Sequence, residues 1–197
     1  MSSLLQKYQY NIINKPVRTF AMQSSFMMTL GDVISQQLIE KKGWQGHDVS
    51  RSLRMTIYGA TIGGPVIGTW FGFINRVVTI QNKWTATIVR VGIDQAFFSP
   101  AILACFMGGI SVLEGRTVQE TKEKFEKSYF NGLMNSYCYW PFVNLFTFAL
   151  IPIYYRPIVN SSFGIAWNAY LSHLNQKSIQ ALKASPSFIQ STNKIET

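Results

Sequence analysis

Two carboxylates stand inside long apolar stretches of this sequence, and they are the residues best placed to do chemistry. Asp32 lies within residues 17–39, and Asp94 is the only charge within residues 91–113. A charged side chain in hydrocarbon costs several kcal/mol unless it is paired or hydrated, so each carboxylate marks either a structural ion pair or a water-filled path. Asp32 belongs to a polar stripe, Arg18, Ser25, Thr29, Asp32 and Gln36, whose spacing puts all five on one face of an α-helix. Phe20, Met27, Ile34 and Leu38 occupy the opposite face. Asp94 follows Arg90 by one helical turn, which predicts a local ion pair, and Gln95, Ser99 and Pro100 come next. Arg51 and Arg54 immediately precede an apolar run and are candidates to pair with the carboxylates or to hold lipid phosphate.

Nothing in the sequence points to catalysis. His47 and His173 both fall outside the apolar runs, no serine has a nucleophile-elbow context, and no glycine-rich phosphate loop opens a helix after a strand. We expect no enzyme activity, no cofactor and no metal site. Cys105 and Cys138 form neither a disulfide framework nor a metal spacing, and are expected to be free thiols acting as small buried hydrophobes. The net charge of +9 comes from basic residues that bracket apolar runs instead of forming one patch. That pattern suits lipid head groups as partners and argues against nucleic acid.

The elements that must position these residues are membrane helices. Only 14% of the residues are charged, against about 25% in an ordinary soluble domain. A bilayer core of about 30 Å needs about 20 apolar residues in a helix. Four stretches approach this: 17–39, 55–75, 91–113 and 135–155. The fold class expected is therefore all-α, a polytopic membrane bundle of about four transmembrane helices with short amphipathic helices. Residues 1–175 form one membrane domain, and 176–197 a polar C-terminal tail. Residues 157–174 are too short to cross comfortably and read as an interfacial or half-buried helix. Pro16 separates the first span from a short amphipathic helix carrying Leu4, Leu5, Tyr8 and Ile12. The first acidic residue is Asp32, an acid-poor start like that of a mitochondrial targeting segment, here read as uncleaved. In the connection 114–128, Glu120, Glu123 and Glu126 interleave with Lys122, Lys124 and Lys127, which predicts a solvated face on a short surface helix. Thr117 would cap that helix, with Glu120 in capping-box position.

Small residues recur every fourth position in the second span, at Ala60, Gly64, Gly68 and Gly72, beside Gly59 and Gly63. Such rows let helix backbones approach closely, so helix packing is their expected role, including assembly into a homo-oligomer. Pro65 is expected to kink this helix. Pro141 and Pro152 in the fourth span predict broken backbone hydrogen bonding that protein or water must re-satisfy.

An ordered set of segments carries a family resemblance. Leu30-Gly31-Asp32 is followed by Gln36; Arg51, Arg54 and Gly59 precede residues 64–71, which read Gly-Pro-Val-Ile-Gly-Thr-Trp-Phe. Asp94-Gln95 with Pro100, Glu114-Gly115-Arg116, Trp140-Pro141, Pro152 with Arg156, and Trp167-Asn168-Ala169-Tyr170-Leu171-Ser172 come next. Over residues 1–175 this resembles the Mpv-seventeen / peroxisomal-membrane-protein-twenty-two family, its fungal mitochondrial branch most of all. The resemblance implies an organellar protein of about four spans in the mitochondrial inner membrane, with the peroxisomal membrane as the alternative. It also implies a non-selective or weakly cation-selective channel for small solutes or ions, linked to metabolite homeostasis, mitochondrial DNA maintenance and stress tolerance. Asn144, Thr147, Ser136 and Phe130-Asn131 depart from the family pattern while keeping its polarity. The competing expectation is a scaffold protein whose intramembrane charges pair to fix helix register.

Overall fold

A computed structural model describes residues 3–150 and 156–183. All regular structure among them is helical. Helix α1 is Ser3–Asn14. Pro16 then opens α2, Pro16–Ile34, where its missing N–H costs nothing, and one π-helical turn, Ser35–Ile39, extends it. Helix α1 folds back along α2, with the Tyr8 hydroxyl donating to Gln23 Oε1 at 2.8 Å.

Helices α3, Val49–Tyr58, and α4, Gly64–Val77, are one rod joined by a π-helical turn, Gly59–Gly63. Helices α5, Lys83–Ile93, and α6, Ser99–Leu113, are a second rod joined by Asp94–Phe98, also a π-helical turn. The two turns share a cause. Pro65 and Pro100 are each the second residue of the helix that follows. A proline has no N–H to give and its ring crowds the carbonyl four residues back. Those carbonyls, of Thr61 and Ala96, lie inside the wider turns, so the helix runs on through each proline.

Both rods begin earlier than their apolar runs because polar loop residues cap them. Asp48 accepts from the Arg51 amide at 2.9 Å, and Asn82 from the amides of Trp84 and Thr85. Helix α6 ends on Gly115, at φ +69°, with the Gly115 amide bonded to the Val112 carbonyl and the Arg116 amide to that of Ser111. This is a Schellman stop, and it explains the glycine of Glu114-Gly115-Arg116.

Two expectations are corrected. The charged connection is not a separate short helix: it is the start of α7, Val118–Leu150, a 33-residue helix. The capping box holds, with Thr117 Oγ1 accepting from the Glu120 amide and the Glu120 carboxylate accepting from the Thr117 amide at 2.8 Å. Residues 157–174 are not a short helix either. Helix α8, Arg156–Lys183, is 28 residues long and takes in the first part of the expected tail. Pro152 and residues 184–197 lie outside the described residues.

The five rods pack as a ring. Helix α2 lies between α3–α4 and α8; α8 packs on α7, α7 on α6, and α6 on α3. Helices α7 and α8 run antiparallel, as the pairs Ser128–Ser178, Asn135–Tyr170 and Tyr139–Phe163 require. Met28, Met55, Tyr58, Leu103, Phe106, Met107, Ile110 and Leu171 fill the ring's centre in the half nearest the loops 40–48 and 114–117. Two helical segments, Val49–Ile74 and Trp84–Leu113, are long and apolar enough to cross a membrane.

Candidate functional site

The charges in and beside the apolar runs fall into two groups, held by different parts of the fold. The first lies where α2 ends, α3 begins and α8 crosses. Gly31 lets α8 come this close: a Cβ there would meet Asn168 Cβ at 2.6 Å and the Ala169 amide nitrogen at 2.8 Å. The next residue, Asp32, is fully buried. Its Oδ1 lies 2.7 Å from Arg51 Nε and accepts from the Ser172 hydroxyl; its Oδ2 accepts from Ser52 Oγ at 2.6 Å and Gln36 Nε2 at 2.9 Å. Arg51, itself buried, grips Glu40 with both terminal nitrogens, at 2.9 and 2.7 Å. The Gln36 side-chain Oε1 accepts from the Asp48 amide at 2.7 Å, tying the 40–48 loop to the pair. Burial pushes the Glu40 carboxyl up, but Arg51, Lys42 and Ser35 together outweigh it and hold it down at about 2. The partners come from α2, its π-helical turn, α3 and α8, so the cluster is a clamp across three rods.

A second polar network stands beside it. Lys124 reaches Ser111 Oγ at 3.2 Å and Glu114 at 3.8 Å; Arg116 Nε lies 2.6 Å from Glu114, and Asn175 Nδ2 donates to Glu114 Oε1 at 2.8 Å. Lys124 was expected on a solvated face and is buried instead, 1% exposed. Burial pushes its ammonium down to about 8, with Glu114 opposing and Arg116 adding to the shift.

The other group sits midway along the second rod. Asp94 opens the Asp94–Phe98 turn, and its Oδ1 accepts from the Trp70 indole Nε1–H at 2.8 Å. Trp70 stacks on Phe98 at 4.9 Å. The expected Arg90–Asp94 pair does not form, because Arg90 turns to the chain's own bend and donates to the Val78 carbonyl at 3.1 Å. Among the described residues no cation lies within ion-pairing distance of Asp94. Gln95 buries both polar atoms of its amide without a hydrogen-bond partner. It lines an open concavity with Gly92, Ala96, Tyr137 and Pro141. Pro141 has no N–H to give the carbonyl of Tyr137, four residues back.

The remaining candidates divide. Arg54 stays outside the clamp and donates to Ser50 Oγ at 2.9 Å. A Cβ on Gly64 would meet Ala21 Cα at 2.3 Å and one on Gly68 would meet Val17 Cα at 3.1 Å, so these two seat α4 on α2. Gly72 has nothing within 4 Å and does not share that role. Trp167 stacks on Tyr139 and meets Trp140 edge-on, joining α7 to α8. The side chain of Arg156 is not among those described. Cys105 and Cys138 are free but exposed, not buried. Ser52, Ser172, Glu40, Trp70 and Lys124 were not among the site residues expected from the sequence, although Trp70 and Ser172 fall inside its quoted segments and Lys124 inside its charge run.

This is a helical membrane bundle with charged residues clamped between its rods, and the comparisons give its kinship. The Mpv17 / PMP22 family model matches residues 111–172. Protein SYM1 of Gibberella zeae is 36% identical over 178 residues, covering 90% of this chain and 100% of that protein. Protein sym-1 of Neurospora crassa is 36% identical over 87% of this chain and 99% of its own. The mitochondrial inner membrane protein Mpv17 of Homo sapiens is 34% identical over 86% of this chain and 96% of its own. No solved structure matches. The chain belongs to the Mpv17 / PMP22 family, and it is a protein of the mitochondrial inner membrane.

Proposed function

We propose that this chain is a non-catalytic membrane protein that passes small solutes across the inner membrane, with Asp94 and Gln95 as the polar element of the path. The observation that carries this is a carboxylate without a cationic partner, beside an unpartnered amide, midway along an apolar helix of membrane-crossing length. Hydrocarbon does not tolerate such groups unless water or a solute reaches them. A lone carboxylate favours cations, as acidic residues do in other channels.

The bundle reads as at least four spans. Large apolar side chains face outward along α2 (Phe26, Leu38), the two rods (Leu53, Phe73, Ile88, Phe97) and α7 (Phe130, Leu150). Residues 130–150 alone extend over about 30 Å, the thickness of a bilayer core. A soluble surface does not carry apolar patches of that extent. The side chains that fill the ring's centre near the loops give a closed state. Roles in metabolite homeostasis, mitochondrial DNA maintenance and stress tolerance would follow from such a path and are part of the proposal.

A second reading, a scaffold, is favoured by the Asp32–Arg51 clamp, which has no open face. Recording from purified protein in planar bilayers separates the two. Discrete conductance steps support the path; a silent bilayer with correctly folded protein leaves the scaffold.

A further inference from the structure

The two ends of the bundle differ in charge. One carries the loops 40–48 and 114–117, and there Arg51, Arg116 and Lys124 each face a carboxylate. At the other, α2 begins, the two rods join, α7 ends and α8 begins. The stretches of chain that run to it, 1–31, 55–93 and 128–172, contain no aspartate or glutamate, yet Lys15, Arg18, Arg76, Lys83, Arg90 and Arg156 lie in them. The join of the rods concentrates this imbalance. Arg90 is half-buried there; its Nη2 donates to the neutral Val78 carbonyl, and its Nε is buried without a hydrogen-bond partner. Arg76, two residues before Val78, is exposed on the last turn of α4. Among the described residues neither arginine has a carboxylate within ion-pairing distance. Phe73 and Val77 on α4 and Trp84 and Ile88 on α5 turn apolar side chains outward near them.

We propose that the join of the two rods holds the phosphate of an anionic phospholipid, anchored by Arg90 with Arg76 beside it. The inference rests on the membrane-bundle reading above, in that both rods must cross the bilayer, and it does not need the bundle to conduct. A guanidinium partly withdrawn from water costs free energy unless a counter-ion reaches it. The chain supplies none at this end, so the anion comes from outside. Phosphate suits a guanidinium, whose planar fork offers parallel N–H groups to two oxygens. The surroundings favour a lipid over a soluble phosphate. A phospholipid carries its acyl chains directly below the phosphate, and Phe73, Val77, Trp84 and Ile88 give those chains an apolar wall beside the arginines. A soluble phosphate makes no use of that wall.

The test uses the full chain purified in a neutral detergent, with lipid adducts followed by native mass spectrometry during titration with phosphatidylglycerol. Arg90→Gln and Arg76→Gln are compared with Lys122→Gln, the same loss of charge on an exposed side chain at the clamp end. Each arginine variant should weaken the first adduct about fivefold, and Lys122→Gln should leave it unchanged. The melting midpoint reads folding; Arg76 is exposed, so Arg76→Gln carries the test even where Arg90→Gln does not fold. No adduct on the parent, or equal adducts on folded arginine variants and Lys122→Gln, would overturn the site. A first adduct that inorganic phosphate displaces would put soluble phosphate there and overturn the lipid. Carbonate extraction of membranes carrying the parent separates the failures. Chain retained in the pellet means that only the phosphate site is wrong; chain released means that the bundle reading falls with it.

Discussion

Asp32 and Asp94 are the two acidic residues inside the apolar runs, and the fold treats them in opposite ways. Asp32 is sealed, with an arginine, two serines and a glutamine on its two oxygens. Asp94 has one neutral partner, the Trp70 indole, and a neighbouring amide with none. Removing one side of a buried ion pair costs about 3–5 kcal/mol because it strands the other charge. A neutral hydrogen bond contributes only about 0.5–1.5 kcal/mol. The first carboxylate therefore belongs to folding, and the second is the one that the proposed function assigns to the solute.

The comparison can be broken most directly at the clamp. Arg51→Met strands Asp32 and Glu40 together, and should lower stability by about 3–5 kcal/mol. Thermal unfolding in detergent reads it, and a change below about 1 kcal/mol would mean that the pair does not hold the rods. Next comes the seat of α4 on α2. Gly64→Val drives side-chain atoms into the Ala21 backbone and should cost about 1–3 kcal/mol. Gly72→Val meets open space and should stay within about 0.5 kcal/mol. Equal effects would remove Gly64 from the packing.

Acid and base sharpen the contrast within the charged end. Glu40 is held near 2 against an ordinary 4.5, so its contribution is intact above 4.5 and fades as pH falls from 4.5 towards about 2. Lys124 is shifted the other way in effect: pushed from 10.5 to about 8, it costs stability while charged, and stability should rise as pH climbs between those values. In Lys124→Met the alkaline rise should vanish while the acid loss remains. The melting midpoint followed against pH checks both limbs.

Much of the architecture was legible beforehand. The Thr117–Glu120 capping box, Pro16 at a helix start and the uncharged runs each act locally, through a backbone bond or a hydrophobic span. The reach of α8 was not legible: its burial depends on Ser172, Asn175 and Ser178, polar side chains that hydrogen-bond Asp32, Glu114 and Ser128 far away in sequence. Lys124 was misread for the same reason, since an alternating charge run looks solvated until the partner helix is in place. The site was half legible. Types and spacing marked Asp32 and Asp94, but the sequence offers arginines for both: Arg51 or Arg54 for either, and Arg90 for Asp94. The fold pairs only Asp32, with Arg51, and leaves Arg90 on the Val78 carbonyl.

The central claim, that Asp94 and not Asp32 serves the solute, is tested most directly by the reversal potential across a salt gradient in planar bilayers for Asp94→Asn. The asparagine keeps the Trp70 hydrogen bond and removes only the charge. The account predicts a channel that folds and melts like the parent, within about 1 kcal/mol, but has lost its cation preference. A parent-like reversal potential from the folded variant would contradict it.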